Sequence, residues 1–354
     1  MKTIKGPAVF LAQFVADVPP YDTLPALAAW AAEKGFTGVQ IPIWETRLVD
    51  LRLAAESQTY CDELAGMLAG HGLVLTEFAS QIIGQLVAVH PAHDLIMDSF
   101  APVRLRGNPS ARHAWAEEQL RLTARASARL GITTHTTFSG SLLWPYLYPY
   151  PQWPDGLVEE GFKELARRWR PILDEFDAHG VDAAFELHPC EDVHDGHSWE
   201  YFLEMLAFHP RANIMYDPSH FVLQALDYLA FIDHYHDRIR TFHVKDAEFR
   251  PDGKSGAYGG YQPWARRAGR FRSPGDGQID FGAIFTKLST YGFDGWATLE
   301  WECFIKNPED GARQGAQFIK DHIIRVSERA FDDFVKFNAS HAMNRKMLGL
   351  EEGA

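Results

Sequence analysis

The sequence predicts an eight-stranded parallel barrel, (β/α)8, in a single domain with a C-terminal helical extension. Two observations carry that expectation. Eight short apolar runs, rich in β-branched and aromatic residues, alternate with segments of helical spacing, most of which end on a glycine. No GxGxxG turn follows the first run, where an open doubly wound sheet that binds a dinucleotide would carry one. The 354 residues suffice for one large α/β domain or two smaller ones.

The elements follow in order. PAVFLAQF (7–14) is the first strand, a helix over 24–35 ends at Gly35, and TGVQIPIW (37–44) is the second strand. A helix over 55–70 precedes the third strand, GLVLTEFA (72–79). The long amphipathic segment 111–130 is a helix closed by Gly131 before the fourth strand, ITTHTTF. Helix 158–180 leads to VDAAFE, helix 199–208 to ANIMYD, helix 220–236 to IRTFH and helix 280–291 to WATLE. Longer loops fall after strand three (80–110), strand four (139–157) and strand seven (247–279), on the side where barrels build substrate pockets. The barrel is expected over 1–325 and the extension over 326–354. The segment 322–337 has helical spacing, which fits either a closing helix with a frayed end or a helix that packs on a partner subunit.

Composition excludes several classes. An apolar fraction of 46% is ample for a core, and a net charge of −13 disfavours a nucleic-acid partner, whose affinity rests on Lys and Arg against phosphates. Cys61, Cys190 and Cys303 form no CxxC pair, so neither a disulfide framework nor a thiolate zinc site is expected. No stretch approaches the length of a membrane span, and the first residues show no cleavage-site pattern, so the expectation is a soluble cytoplasmic protein.

Four polar groups stand at the carboxyl ends of the last four strand-like runs: Glu186, Asp217, His243 and Glu300. Singly, each has an ordinary reading; an Asp before Pro starts turns, and a strand-end His is commonly hydrogen-bonded structure. Jointly they converge, because carboxyl ends of barrel strands share one face. Burying such groups is costly without a partner or a metal. Three carboxylates and an imidazole suit a divalent cation, manganese first, with Mg, Co or Zn as alternatives, and leave coordination positions for substrate oxygens.

At FELHP (185–189), YDPSH (216–220), FHVKD (242–246), GDGQIDF (275–281) and TLEWE (298–302) the chain resembles the sugar isomerase/epimerase family with the xylose-isomerase-like TIM barrel. The resemblance implies that Glu186, Asp217, His243 and Glu300 are metal ligands. It also implies that Glu186 and Glu300 double as the acid/base pair, and that His220 contacts substrate oxygens. Family epimerases commonly carry an arginine shortly after the histidine ligand, and here Arg250 matches only approximately. The aromatic loop LLWPYLYPYPQWP and His135 look similar to the C-glycoside deglycosidase branch, which implies a small partner subunit.

Further candidates come from position. His135, inside strand four, is an auxiliary base or a satisfied barrel histidine. His188 and Glu191 lie just past Glu186, and Glu302 two residues past Glu300. Lys245 and Asp246 either pair or orient His243. Arg266, Arg267, Arg270 and Arg272 make loop 247–274 basic, to grip an anion or as a solvated lid. Trp144 belongs to a loop that is a sugar wall, a stiff packed segment or a subunit contact. The candidate substrate contacts are therefore His188, His220, Lys245, Arg272 and Trp144. The leading expectation is a metal-dependent isomerase or epimerase that removes a proton beside a sugar carbonyl. The alternatives are a lyase that uses the same step to expel the substituent of a 3-keto-glycoside, and a sugar-binding protein without turnover. Barrels of this size often associate, and the sequence leaves open a homo-oligomer or, for a deglycosidase-like chain, a small partner subunit.

Overall fold

The computed structural model describes residues 2–259, 261–327 and 340–350. Eight parallel strands close a barrel, as expected. They are β1 (Lys5–Phe10), β2 (Gly38–Pro42), β3 (Val74–Ala79), β4 (Thr134–Thr137), β5 (Asp182–Glu186), β6 (Ala212–Tyr216), β7 (Ile239–Val244) and, last in the chain, β10 (Trp296–Leu299). Between the last two a two-stranded antiparallel hairpin is inserted, β8 (Asp246–Phe249) with β9 (Gly269–Arg272). The barrel order is β1-β10-β7-β6-β5-β4-β3-β2, so the last strand in the chain pairs with the first.

The alternation of strand side chains decides what enters the barrel. Phe185 points outward between Trp169 and Phe202, with ring centroids 4.6 and 5.2 Å away, so Glu186 faces the lumen. Tyr216 packs outward on Phe231, and Phe242 outward on Phe285, which turns Asp217 and His243 inward. Each of these buried aromatics contributes roughly 1.5–3 kcal/mol. The same contacts that seal strand to helix therefore aim the polar group that follows.

Several helices begin and end on local signals. Asn108 accepts from the Ala111 N–H (3.1 Å) at the start of Pro109–Arg129. Gly35, at φ 95°, ends Leu24–Lys34 with its N–H on the carbonyls of Ala31 and Ala32.

Four details differ from expectation. The first strand stops at Phe10 and continues as a 3-10 turn, Leu11–Phe14, which brings Gln13 over the barrel mouth. The helix expected over 220–236 is two helices, Pro218–Leu223 and Tyr228–Tyr235. The break falls at Ala225 (φ 59°), and Asp227 caps the second by accepting from the Leu229 and Ala230 N–H groups. The segment 247–274, read as a long basic loop, holds most of the hairpin. The helix Pro308–His322 ends where a further helix was expected to start, Ile323 is extended, and residues 328–337 of that expectation lie outside the described residues. Within the expected extension a short helix, His341–Met347, is described.

Candidate metal centre and active site

Glu186, Asp217, His243 and Glu300 come together at the carboxyl mouth of the barrel. One donor atom from each lies within 4.8 Å of all the others, and all four residues are buried. His243 Nδ1 is 3.0 Å from Glu300 Oε2, and its Nε2 is 3.0 Å from Gln40 Oε1. An imidazole that donates Nε2–H to an amide oxygen offers Nδ1 as its ligand atom. Asp217 Oδ1 accepts from the Ser219 N–H at 2.8 Å, which leaves Oδ2 directed into the cluster with no hydrogen bond of its own.

Three carboxylates so close repel one another. Burial and the Glu300 charge push Glu186 up, and burial raises Asp217 as well. Burial would also raise Glu300, but Lys245 and His243 hold it well below the usual carboxylate range. Lys245 and His243 both resist desolvation, yet the surrounding carboxylates, Glu300 first, keep each above its ordinary value. Lys245 Nζ lies 3.2 Å from Glu300, 2.9 Å from Glu302 and 3.8 Å from Asp217. The excess of buried negative charge, the donor set and the orphaned Asp217 Oδ2 fit a divalent cation.

The neighbouring groups complete the mouth. His220 Nε2 lies 3.1 Å from Glu186 Oε1 and 3.3 Å from Asp217 Oδ2, and burial pushes this imidazole down to about 4. His188 crosses His220 with ring centroids 4.1 Å apart and packs on Phe138 at 4.6 Å. Glu186, His188 and His220 also form a second, overlapping cluster of possible ligand atoms.

Three glutamines that the sequence reading did not single out support the carboxylates and the imidazole. Gln13 Nε2 donates to Glu300 Oε1 (2.9 Å), Gln81 Nε2 to Glu186 Oε2 (3.4 Å), and Gln40 accepts from His243. Beneath them Glu77 is wholly buried in β3, and burial raises its carboxyl to about 7. Asp246 neither pairs with Lys245 nor touches His243. It gathers the backbone N–H groups of Ala247, Gly275, Gly277 and Ile279, which pins the GDGQIDF segment.

Some expected contacts stand elsewhere. His135 is not in the cluster: its ring packs outward on Phe176 (5.5 Å), and its Nε2 lies 2.6 Å from Ser80 Oγ. The reason is parity, since His135 is registered with Ala183, which sits on the opposite face of β5 from Glu186. Burial depresses this histidine to about 3, in keeping with the satisfied barrel histidine of its two readings. Arg272 is occupied: with Arg250 and Arg270 it binds the buried carboxylate of Glu248, at 2.7 Å. Trp144 lines a separate cleft of about 200 Å³ with Trp153, Phe162 and Tyr201, and its ring crosses His194 at 5.4 Å. Glu191 is buried against Ser139 and the Gly140 N–H. Among the described residues no helix is long and apolar enough to cross a membrane.

Comparison with known proteins places this architecture. The family profile for the xylose isomerase-like TIM barrel matches residues 28–322. The inosose dehydratase of Geobacillus thermodenitrificans is 33% identical over 113 residues, 31% of this chain and 38% of that protein. That of Bacillus velezensis is 28% identical over 155 residues, 41% of this chain and 49% of that protein. The chain thus spans less than half the length of these curated relatives. Among solved structures, the 3-keto-D-glucoside 4-epimerase of E. coli superposes with a TM-score of 0.58 at 13% identity, over 89% of this chain and 98% of that one. The probable 3-DHS dehydratase of Bacillus anthracis gives 0.59 at 16% identity, over 90% and 99%. At such identities the likeness is one of fold.

Proposed function

Given that the chain belongs to the xylose isomerase-like TIM barrel family, we propose that it removes the proton beside the carbonyl of a keto-sugar with a carboxylate base, in a site loaded with a divalent cation. The observation that carries the reading is the buried quartet Glu186, Asp217, His243 and Glu300, with donor atoms within 4.8 Å of one another. Those four residues would hold the cation, manganese first among Mn, Mg, Co and Zn. Bound there, it supplies Lewis-acid stabilisation of charge that develops on substrate oxygens.

The chain's own groups do the rest. Glu186 is the base, and its carboxylate is steered by His220 on one oxygen and Gln81 on the other. Glu300 is its partner across the site and is held anionic by Lys245 and His243. Lys245 carries positive charge into the cluster, where it stabilises negative charge that builds on a substrate oxygen. His188, half-buried at the mouth, is placed to touch a sugar hydroxyl. Return of the proton to the neighbouring carbon or to the opposite face gives isomerisation or epimerisation, the leading reading.

A second reading has its own support. The curated relatives are named inosose dehydratase, and one structural neighbour is a probable 3-DHS dehydratase. The same proton removal, followed by loss of a group from the next carbon, makes the protein a lyase on a 3-keto-sugar or keto-cyclitol. Product analysis separates the two. With Mn supplied, ketoses, 3-keto-glucosides and an inosose are incubated in D₂O. A deuterated stereoisomer or positional isomer supports the isomerase, and a released substituent or water with an unsaturated ketone supports the lyase. Recovery of every substrate undeuterated would refute both and leave a binding role.

A further inference from the structure

Between the helices Pro109–Arg129 and Leu157–Ala178 lies a cleft of about 300 Å³. Its polar wall is Ser110, Arg112, His113, Arg167 and Arg168, and among the described residues no carboxylate lines it. On a chain of net charge −13, a cleft walled by three guanidiniums and an imidazole stands out.

Arg167 and Arg168 share one carboxylate. Arg167 binds Glu164 through Nε and Nη2, at 2.6 and 2.8 Å. Arg168 binds it through Nε at 2.7 Å and gives Nη1 to the Val87 carbonyl at 3.0 Å. Two positive charges against one negative leave an excess of one, and each guanidinium keeps an amino group outside these bonds. Arg112 is the fixed part of the wall. It is 2% exposed and its amino groups close on Asp94 and Asp98, while its buried Nε–H has no partner among the described residues. His113 Nε2 is likewise buried and unpartnered. Buried donors and acceptors left unpaired are uncommon, because folding does not recover the hydration they lose. Burial and, next, the charge of Arg168 hold the His113 imidazole below its ordinary value. The first turn of the 21-residue helix Pro109–Arg129 borders the same space and adds the positive end of its dipole.

We propose that this cleft binds an oxyanion of the phosphate class, held by Arg167 and Arg168 with the Arg112 Nε–H, His113 and the Ser110 hydroxyl around it. The donors come from two helices, so they suit tetrahedral oxygens better than a planar carboxylate, which meets one wall at a time. None of these residues belongs to the quartet or its supporting glutamines, so the site is independent of the keto-sugar reading.

The test follows the His113 ring by NMR in the histidine-labelled, Mg-supplied full chain, with the signal assigned by its loss in His113→Gln. Inorganic phosphate, glucose 6-phosphate and succinate are each titrated at an ionic strength held constant with chloride. The His113 resonances are expected to move saturably with phosphate, and the affinity to fall about tenfold or more in Arg167→Gln and in Arg168→Gln. Arg167 is 70% exposed, so its replacement probes the cleft without loading the fold. Tighter binding of glucose 6-phosphate than of phosphate assigns a phosphomonoester, and the reverse order assigns free phosphate; either supports the site. No saturable shift with either phosphate, an equal shift with chloride alone, a preference for succinate, or affinities unmoved by both variants would overturn the proposal. Phosphate held at the quartet instead would leave the His113 signal in place, which also counts against it.

Discussion

Replacing Lys245 with methionine removes a buried ammonium that faces three carboxylates, while the apolar stem and its contact with Phe271 are largely kept. Glu302 is 38% solvent-exposed and its share is discounted for screening. Glu300 and Asp217 are buried at 3.2 and 3.8 Å from Nζ, distances at which unit charges interact by about 4 kcal/mol or more at an effective dielectric near 20. The cost of desolvating Lys245 offsets part of that attraction, and loss of one partner from a buried ion pair leaves a net cost of about 3–5 kcal/mol. For a chain of 354 residues that corresponds to a Tm lower by on the order of 4–7 °C. The assay is thermal unfolding in chelator and again with saturating Mn. In chelator the variant melts well below the wild type. With Mn the gap narrows, because the cation supplies positive charge to the same oxygens. Equal melting temperatures in chelator, or a gap indifferent to Mn, would refute the view that Lys245 and a cation compensate one shared carboxylate cluster.

Three further outcomes follow from the same geometry. Glu186→Gln keeps the fold by near-ultraviolet circular dichroism but slows solvent exchange at the substrate carbon by at least about 100-fold; wild-type exchange would assign the base elsewhere. Gln40→Leu removes the acceptor of the His243 Nε2–H and weakens Mn binding by about 10–100-fold in calorimetric titration, and unchanged affinity would show that the imidazole is oriented by other contacts. Glu77 has a folded value raised by burial from 4.5 to about 7, so its contribution to stability is full below about pH 4.5 and is lost as pH rises through 7. Denaturant unfolding should therefore show wild-type stability falling by roughly 2.5 kcal/mol relative to Glu77→Gln between pH 5 and 8; parallel pH curves would refute this assignment.

The strand-end quartet was legible because each member breaks an apolar run, and the parity of Phe185, Tyr216 and Phe242 follows from the period of a strand. Closure of the barrel was legible in the alternation of runs and helices. The glutamines were not, since Gln40 lies within the second apolar run with no charge to mark it, and Gln13 reaches Glu300 only because β1 yields to a 3-10 turn after Phe10. His135 misled for a related reason. In a strand buried on both faces hydrophobicity does not reveal parity, and only the register with Ala183 shows that the ring points outward. The arginines of the long loop read as a cationic patch because Glu248 looked unremarkable, until β8 and β9 paired and set Glu248 opposite Arg270.

The most direct test of the account couples metal content to proton removal. Metal-stripped protein is titrated with Mn while deuterium incorporation from solvent into a keto-sugar and bound metal per chain are followed on the same samples. The account predicts that exchange is negligible without metal, rises in proportion to occupancy and saturates at one ion per chain. Exchange at full rate in stripped protein, or its absence with every site filled and a panel of keto-sugars present, would contradict it.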